Sequence, residues 1–223
     1  MKKALIYAGP YRASKEIMMN HMKLFDDSYD IFVSCFEHYL NDWKSSGWNV
    51  KEYFVTPPID ITQTNWFKYR NDSAGQSGFW QFWNLKSVID NIIDDYDFFI
   101  KNRNDIIFDT TKSINIELKP NTIFSAEKSF HKNEWDSNNW INDEFYIGDS
   151  NVMKVISKFA TDYYKIDNRH YVNEPIASNE SQLRNHLREN NINVEKIKNI
   201  EYRKNFNGVT CPSGYVGFQL ENI

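Results

Sequence analysis

The sequence predicts an α/β domain: a mostly parallel sheet flanked by helices, with a small antiparallel element near residues 120–147. Three observations predict it. Apolar runs of strand length alternate with longer stretches whose apolar residues recur at helical spacing. The chain opens strand, loop, helix, strand, which is how an open parallel sheet begins. Its 223 residues, 41% hydrophobic and 25% charged, suffice for one domain (1–223) with a sizeable core, and no internal repeat or domain-scale linker divides them. Such a domain is also compatible with excision from a longer polypeptide.

The elements follow in order. Residues 4–8 form a short buried strand, stopped by Gly9-Pro10-Tyr11-Arg12. Ile17, Met18, His21, Met22, Leu24 and Phe25 then share one broad helical face. Second and third strands are expected over 30–36 and 48–55, the latter ended by Thr56-Pro57-Pro58. Residues 57–75 are polar and read as a long loop, a length that usually accompanies function or motion. A helix over 76–95 carries Phe79, Phe82, Trp83, Leu85, Ile89, Ile92 and Ile93 on its buried stripe. A strand over 97–101 emerges into Asn102-Arg103-Asn104-Asp105, followed by apolar Ile106-Ile107-Phe108. Further strands are expected over 122–126 and 143–148, separated by a polar, Trp-bearing loop over 127–141. A helix over 150–164 follows, and Ser178 or Asn179 caps another that runs to 190 with Leu183 and Leu187 buried. A last strand is expected over 198–202, before Gly-rich turns.

Composition removes several functions. The net charge is −4, and the only basic cluster (Lys196, Lys198, Arg203, Lys204) is diluted by Glu195 and Glu201, so no nucleic-acid partner is expected. Cys35 and Cys211 form no CxxC pair and suggest no disulfide framework, which points to a reducing compartment. The apolar N-terminal stretch stops at Gly9-Pro10, too soon for a signal peptide, and no run approaches the ~20 apolar residues of a membrane span. The expected location is therefore the cytoplasm. The five histidines show no metal-ligand spacing, and the P-loop, GxSxG and GxGxxG motifs are absent. Aromatics make up 16% of the chain; most are expected to fill the core, and exposed ones would suit a ligand whose sugar C–H faces stack on rings.

Three constellations carry chemistry. The strand over 97–101 delivers Arg103 and Asp105 just past its C-terminal end, where ligands of open α/β sheets bind. Asp105 suits Mg²⁺ or Mn²⁺, which take few protein carboxylates and several phosphate oxygens. Lys101 and Arg103 would brace it or reach a phosphate. A strand-ending ion pair without chemistry remains the alternative. At the first turn, Gly9 and Pro10 let backbone approach a ligand, Tyr11 suits stacking on a base or ribose, and Arg12 stands near a helix N-terminus that favours anions. In Asn142-Asp143-Glu144-Phe145, the adjacent carboxylates point to opposite faces of a strand, so Asp143, or secondarily Glu144, could face a cleft as a general base. Gln81, amid Trp80, Phe82 and Trp83, suits a bond to a buried backbone or ligand group.

The order of these parts resembles the short GT-A-like glycosyltransferases of bacterial lipopolysaccharide-core synthesis and large-virus capsid glycosylation. The likeness rests on Gly9-x-x-Arg12 followed by Asp30-Ile31-Phe32. It rests also on Gln81-Phe82-x-x-Leu85-Lys86 leading to Tyr96-Asp97-x-x-Ile100-Lys101-x-Arg103-x-Asp105, and on Asn142-Asp143-Glu144-Phe145-x-x-Gly148. It spans the chain to about residue 200. The resemblance implies a Rossmann-like GT-A domain that takes a UDP-sugar or similar nucleotide-sugar donor, a divalent metal (Mn²⁺ or Mg²⁺) and a glycan or lipid-linked saccharide acceptor, in a bacterial or virus-infected host cytosol. Asp105 would match the last carboxylate of the family's metal motif, and Asp143 the acidic position near the acceptor. Arg103 stands where many GT-A enzymes carry the first Asp, so Arg103 and Lys101 are candidates to share the ion's role. The nucleotide is expected over the first strand at Gly9, Tyr11 and Arg12, and acceptor rings against Trp66, Trp135 and Trp140. Two other readings stay open: a non-catalytic glycan- or nucleotide-binding module, and a sugar nucleotidyltransferase.

Overall fold

The computed structural model describes residues 1–25, 27–64, 66, 73–108, 116–126, 141, 144–162, 179–197, 202–206 and 209–210. Strand β1 (Lys3–Ala8) opens the chain and pairs with a strand on either side. Helix α1 (Lys15–Leu24) follows, its first turn capped by the Ser14 hydroxyl, which accepts the Ile17 N–H. Then come β2 (Tyr29–Cys35), α2 (Glu37–Ser45) and β3 (Glu52–Val55). After a short 3₁₀ turn at Ile61–Gln63, helix α3 (Ser73–Ile92) leads to β4 (Phe98–Asn102) and β5 (Ile106–Phe108). The remainder comprises β6 (Thr122–Ala126), β7 (Tyr146–Asp149), α4 (Ser150–Asp162), α5 (Asn179–Glu189), β8 (Asn193–Ile197), β9 (Tyr202–Phe206) and β10 (Val209–Thr210).

The main sheet has seven strands in the order β3-β2-β1-β4-β7-β6-β8. Neighbours from β3 through β4 are parallel, β7 pairs antiparallel with both β4 and β6, and β8 runs parallel to β6. Strand β7 alone therefore opposes the rest. The α/β class, the mostly parallel sheet and the small antiparallel element near 120–147 are as the sequence predicts. A separate antiparallel sheet, β10-β9-β5, stands beside the main one.

Side-chain alternation along β1 explains the layering. Ala4 and Ile6 join a core with α3, α4 and α5, whereas Leu5 and Tyr7 join a second core with α1 and α2. Both faces are covered, which is what a parallel sheet requires. No described helix is long and apolar enough to cross a membrane.

Four local expectations change. Helix α2 has no counterpart in the sequence reading, because its only buried residue is Trp43 and no apolar stripe marks it. Helix α3 begins at Ser73, inside the expected loop. Trp66, expected to stack on acceptor rings, is buried against Phe79, Phe82 and Phe159 and is part of the core. Strand β8 at Asn193–Ile197 was not anticipated, and most of the strand expected over 198–202 lies outside the described residues, as do Trp135 and Trp140.

Candidate functional site

The chain visits β1, β2 and β3 on one side and then crosses to β4 on the other side of β1. The C-terminal ends of β1 and β4 lie side by side where the strand order reverses, the usual ligand position in such sheets. A cavity of about 450 Å³ lies there, a typical size for a small-ligand site. Its walls include Gly9, Pro10 and Arg12 after β1, Arg103, Asn104 and Asp105 after β4, Phe36, His38 and Tyr39 after β2, and Gln76, Ser77, Trp80, Gln81 and Asn84 from α3.

The first turn is held from three sides. Gly9 has φ +111°, which only glycine adopts without strain. Its N–H donates to the Ser34 carbonyl at 2.7 Å, and its carbonyl accepts Trp43 Nε1–H at 2.9 Å. Asn104 supplies the third tie: its Oδ1 accepts the Arg12 backbone N–H at 2.9 Å, and its Nδ2 donates to the Pro10 carbonyl at 2.8 Å.

The segment after β4 is pinned as firmly. Asn20 of α1 donates to the Phe108 carbonyl and accepts the Phe108 N–H, at 2.7 and 2.8 Å. The buried His21 ring lies 2.6 Å from the Ile106 carbonyl through Nε2 and 2.8 Å from the Tyr7 hydroxyl through Nδ1. A carbonyl only accepts, so Nε2 carries the proton and Tyr7 donates to Nδ1. Burial holds the His21 pKa down at about 4, against the raising effects of the Ile106 carbonyl and the Asp105 charge.

Between these anchors lies the charged centre. Arg103 donates Nε–H to Asp105 Oδ1 at 2.8 Å and Nη2–H to Asp105 Oδ2 at 2.5 Å, a two-pronged guanidinium–carboxylate pair. Its Nη1 reaches Glu144 Oε1 at 3.4 Å. Arg12 Nη1 lies 3.8 Å from Asp105 Oδ2, with the Arg12 side chain 51% exposed and that of Asp105 only 2%. Lys101 is fully buried behind this wall, its ammonium 3.4 Å from the Glu144 carbonyl and over the Tyr146 ring. Among the described residues the cavity wall thus carries Arg12, Arg103 and Asp105, with Arg103 shared between Asp105 and Glu144 and the Arg12 guanidinium half exposed.

The structure brings Gly9, Pro10, Arg12, Gln81, Arg103 and Asp105 to one cavity. It does not bring Tyr11 there: that ring packs edge-on against Trp43, 5.1 Å between centroids. Lys101 and Glu144 lie behind the wall as charge partners and not in it. Asp143 lies outside the described residues.

The donor set at Asp105 suits an anion better than a divalent cation. Both of its oxygens already accept from Arg103, with Arg12 as a third neighbour. Among the described residues no three His, Cys, Asp or Glu side chains converge.

Sequence reasoning passed over Asn104, His38, Tyr39 and Trp80. Asn104 carried a usable signal, since it lies between two singled-out residues at a strand end. The aromatics after β2 and on α3 carried none that distinguishes them from core. No protein-family profile matches the chain, and a search of curated proteins finds no match.

Proposed function

We propose that the chain is a glycosyltransferase that takes a nucleoside-diphosphate sugar, UDP-linked or similar, in the β1/β4 crevice and transfers the sugar to a hydroxyl of a glycan or lipid-linked saccharide. One observation carries this reading. Segments leaving β1 and β4 bring Arg12 and Arg103 into one cavity, where the Arg12 guanidinium is half exposed. A diphosphate leaving group needs charge stabilisation at that position. Phe36, His38, Tyr39 and Trp80 line one flank, suited to a base or sugar, and Gln81 adds a polar group to the wall.

The chemistry is a displacement at the anomeric carbon. The acceptor oxygen bonds to that carbon, the carbon–phosphate-oxygen bond breaks, and its electron pair leaves with the nucleoside diphosphate. The hydroxyl proton passes to a carboxylate, for which Asp143 is the candidate from sequence. Glu144, paired with Arg103, acts in this account as a positioning group.

The test is release of free nucleoside diphosphate from a panel of UDP-, GDP-, ADP- and dTDP-sugars incubated with purified protein and oligosaccharide acceptors. Turnover of one donor is the expected result. Thermal protection by a donor without release would favour a binding module instead. Pyrophosphate production from a nucleoside triphosphate and a sugar phosphate would favour a nucleotidyltransferase.

A further inference from the structure

We infer that the departing diphosphate is stabilised by Arg12 and Arg103 in place of a divalent metal ion, with Asp105 acting as the anchor of the arginines. This rests on the transferase reading above.

Mg²⁺ and Mn²⁺ need oxygen ligands in near-octahedral array, and the protein usually supplies one or two carboxylates. Among the described residues Asp105 is the only carboxylate lining the cavity. Its two oxygens accept from two nitrogens of one planar guanidinium, the geometry in which arginine binds carboxylate most specifically. A divalent ion at Asp105 would have to displace that pair and sit beside two cationic side chains. Removing Asp105 from Arg103 would also leave a largely buried arginine with less compensation, a costly arrangement.

An arginine clamp needs none of this. Arg12 is half exposed and lies 3.8 Å from Asp105, while its backbone is fixed by Asn104. When the bond between the anomeric carbon and the phosphate oxygen breaks, the electron pair and its negative charge stay on the phosphate. Arg12 can turn from Asp105 to that oxygen without stranding a charge, because Asp105 keeps Arg103. The acceptor oxygen takes the vacated bond at carbon, and its proton goes to the carboxylate base. The whole exchange balances with no ion taking part.

Titration calorimetry on the full chain tests this, with UDP, GDP, ADP and dTDP as probes, once in EDTA and once in Mn²⁺. The nucleoside diphosphate that binds is expected to show dissociation constants within about threefold of each other in the two conditions, and Arg12→Ala is expected to weaken it by about tenfold or more in both. Arg12→Ala should retain the unfolding midpoint, since its side chain is half exposed. Binding that needs Mn²⁺, or an Arg12→Ala affinity equal to that of the unaltered protein, overturns the inference and leaves the transferase reading standing. Binding of none of the four in either condition removes that reading and the inference together.

Discussion

Asn104 and Arg12 are joined across the crevice: the Asn104 carboxamide accepts the Arg12 backbone N–H and donates to the Pro10 carbonyl two residues earlier. One side chain after β4 thus sets the course of the whole loop after β1. The relationship holds the Arg12 backbone near Asp105 and ties the two halves of the cavity together. Asn104→Ala is predicted to cost about 1–3 kcal/mol of stability, because two backbone groups lose their partner. It should weaken diphosphate binding more than it slows turnover of bound donor. Urea unfolding and a split of KM against kcat check this; unchanged KM with intact stability would contradict it.

Arg103 holds two buried carboxylates, Asp105 and Glu144. Arg103→Met would remove the guanidinium that both carboxylates share, with a predicted loss on the order of 3–5 kcal/mol. Arg103→Lys should rescue little, since an ammonium cannot form the two-pronged pair. Chemical denaturation of the two variants checks the claim. A lysine variant as stable as the original protein would show that charge alone matters here.

Gly78 lies in α3, where helix propensity alone predicts that Ala would stabilise by roughly 1 kcal/mol. The structure predicts the opposite sign. A Cβ built at Gly78 would fall 1.7 Å from Asn179 Nδ2, at the start of α5. Gly78→Ala should therefore destabilise by about 1–3 kcal/mol through overpacking, and should disturb the adjacent cavity residue Ser77. A raised unfolding midpoint in that variant would contradict the packing of α5 on α3.

His21 predicts a pH dependence. Its folded pKa of about 4 is below the ordinary 6.5, chiefly through burial. Between those values the unfolded chain binds a proton that the folded chain excludes. Stability is therefore whole above pH 6.5 and falls as pH drops toward 4, by at most roughly 3 kcal/mol from this residue. His186 is shifted in the same direction, again chiefly by burial. Unfolding free energies across this range check the sign; a flat profile would mean that His21 titrates normally.

Much of the fold was legible because its signals are periodic. The strands at Lys3–Ala8, Tyr29–Cys35 and Phe98–Asn102 are short apolar runs, and α4 turns Val152, Met153, Ile156 and Phe159 inward at helical spacing. Helix α2 was not legible, because one buried Trp leaves no stripe to read. Trp66 misled because it lies in a segment, 57–75, with no apolar periodicity, whereas its partners, Phe79, Phe82 and Phe159, are distant along the chain. At the site, strand-end logic found Arg12, Arg103 and Asp105 together. The same logic could not decide between a metal ligand and an ion pair at Asp105, since that depends on whether the Arg103 side chain folds back two residues along the chain. The structure shows that it does.

The central claim is that the β1/β4 crevice receives a nucleoside diphosphate. Backbone amide and indole NMR shifts of isotope-labelled protein, followed during titration with that diphosphate, test it most directly. The account predicts that the largest changes fall on the Gly9, Arg12 and Asn104 amides and the Trp80 indole. Changes centred elsewhere, on the β8 edge for example, with these four signals unmoved, would contradict it.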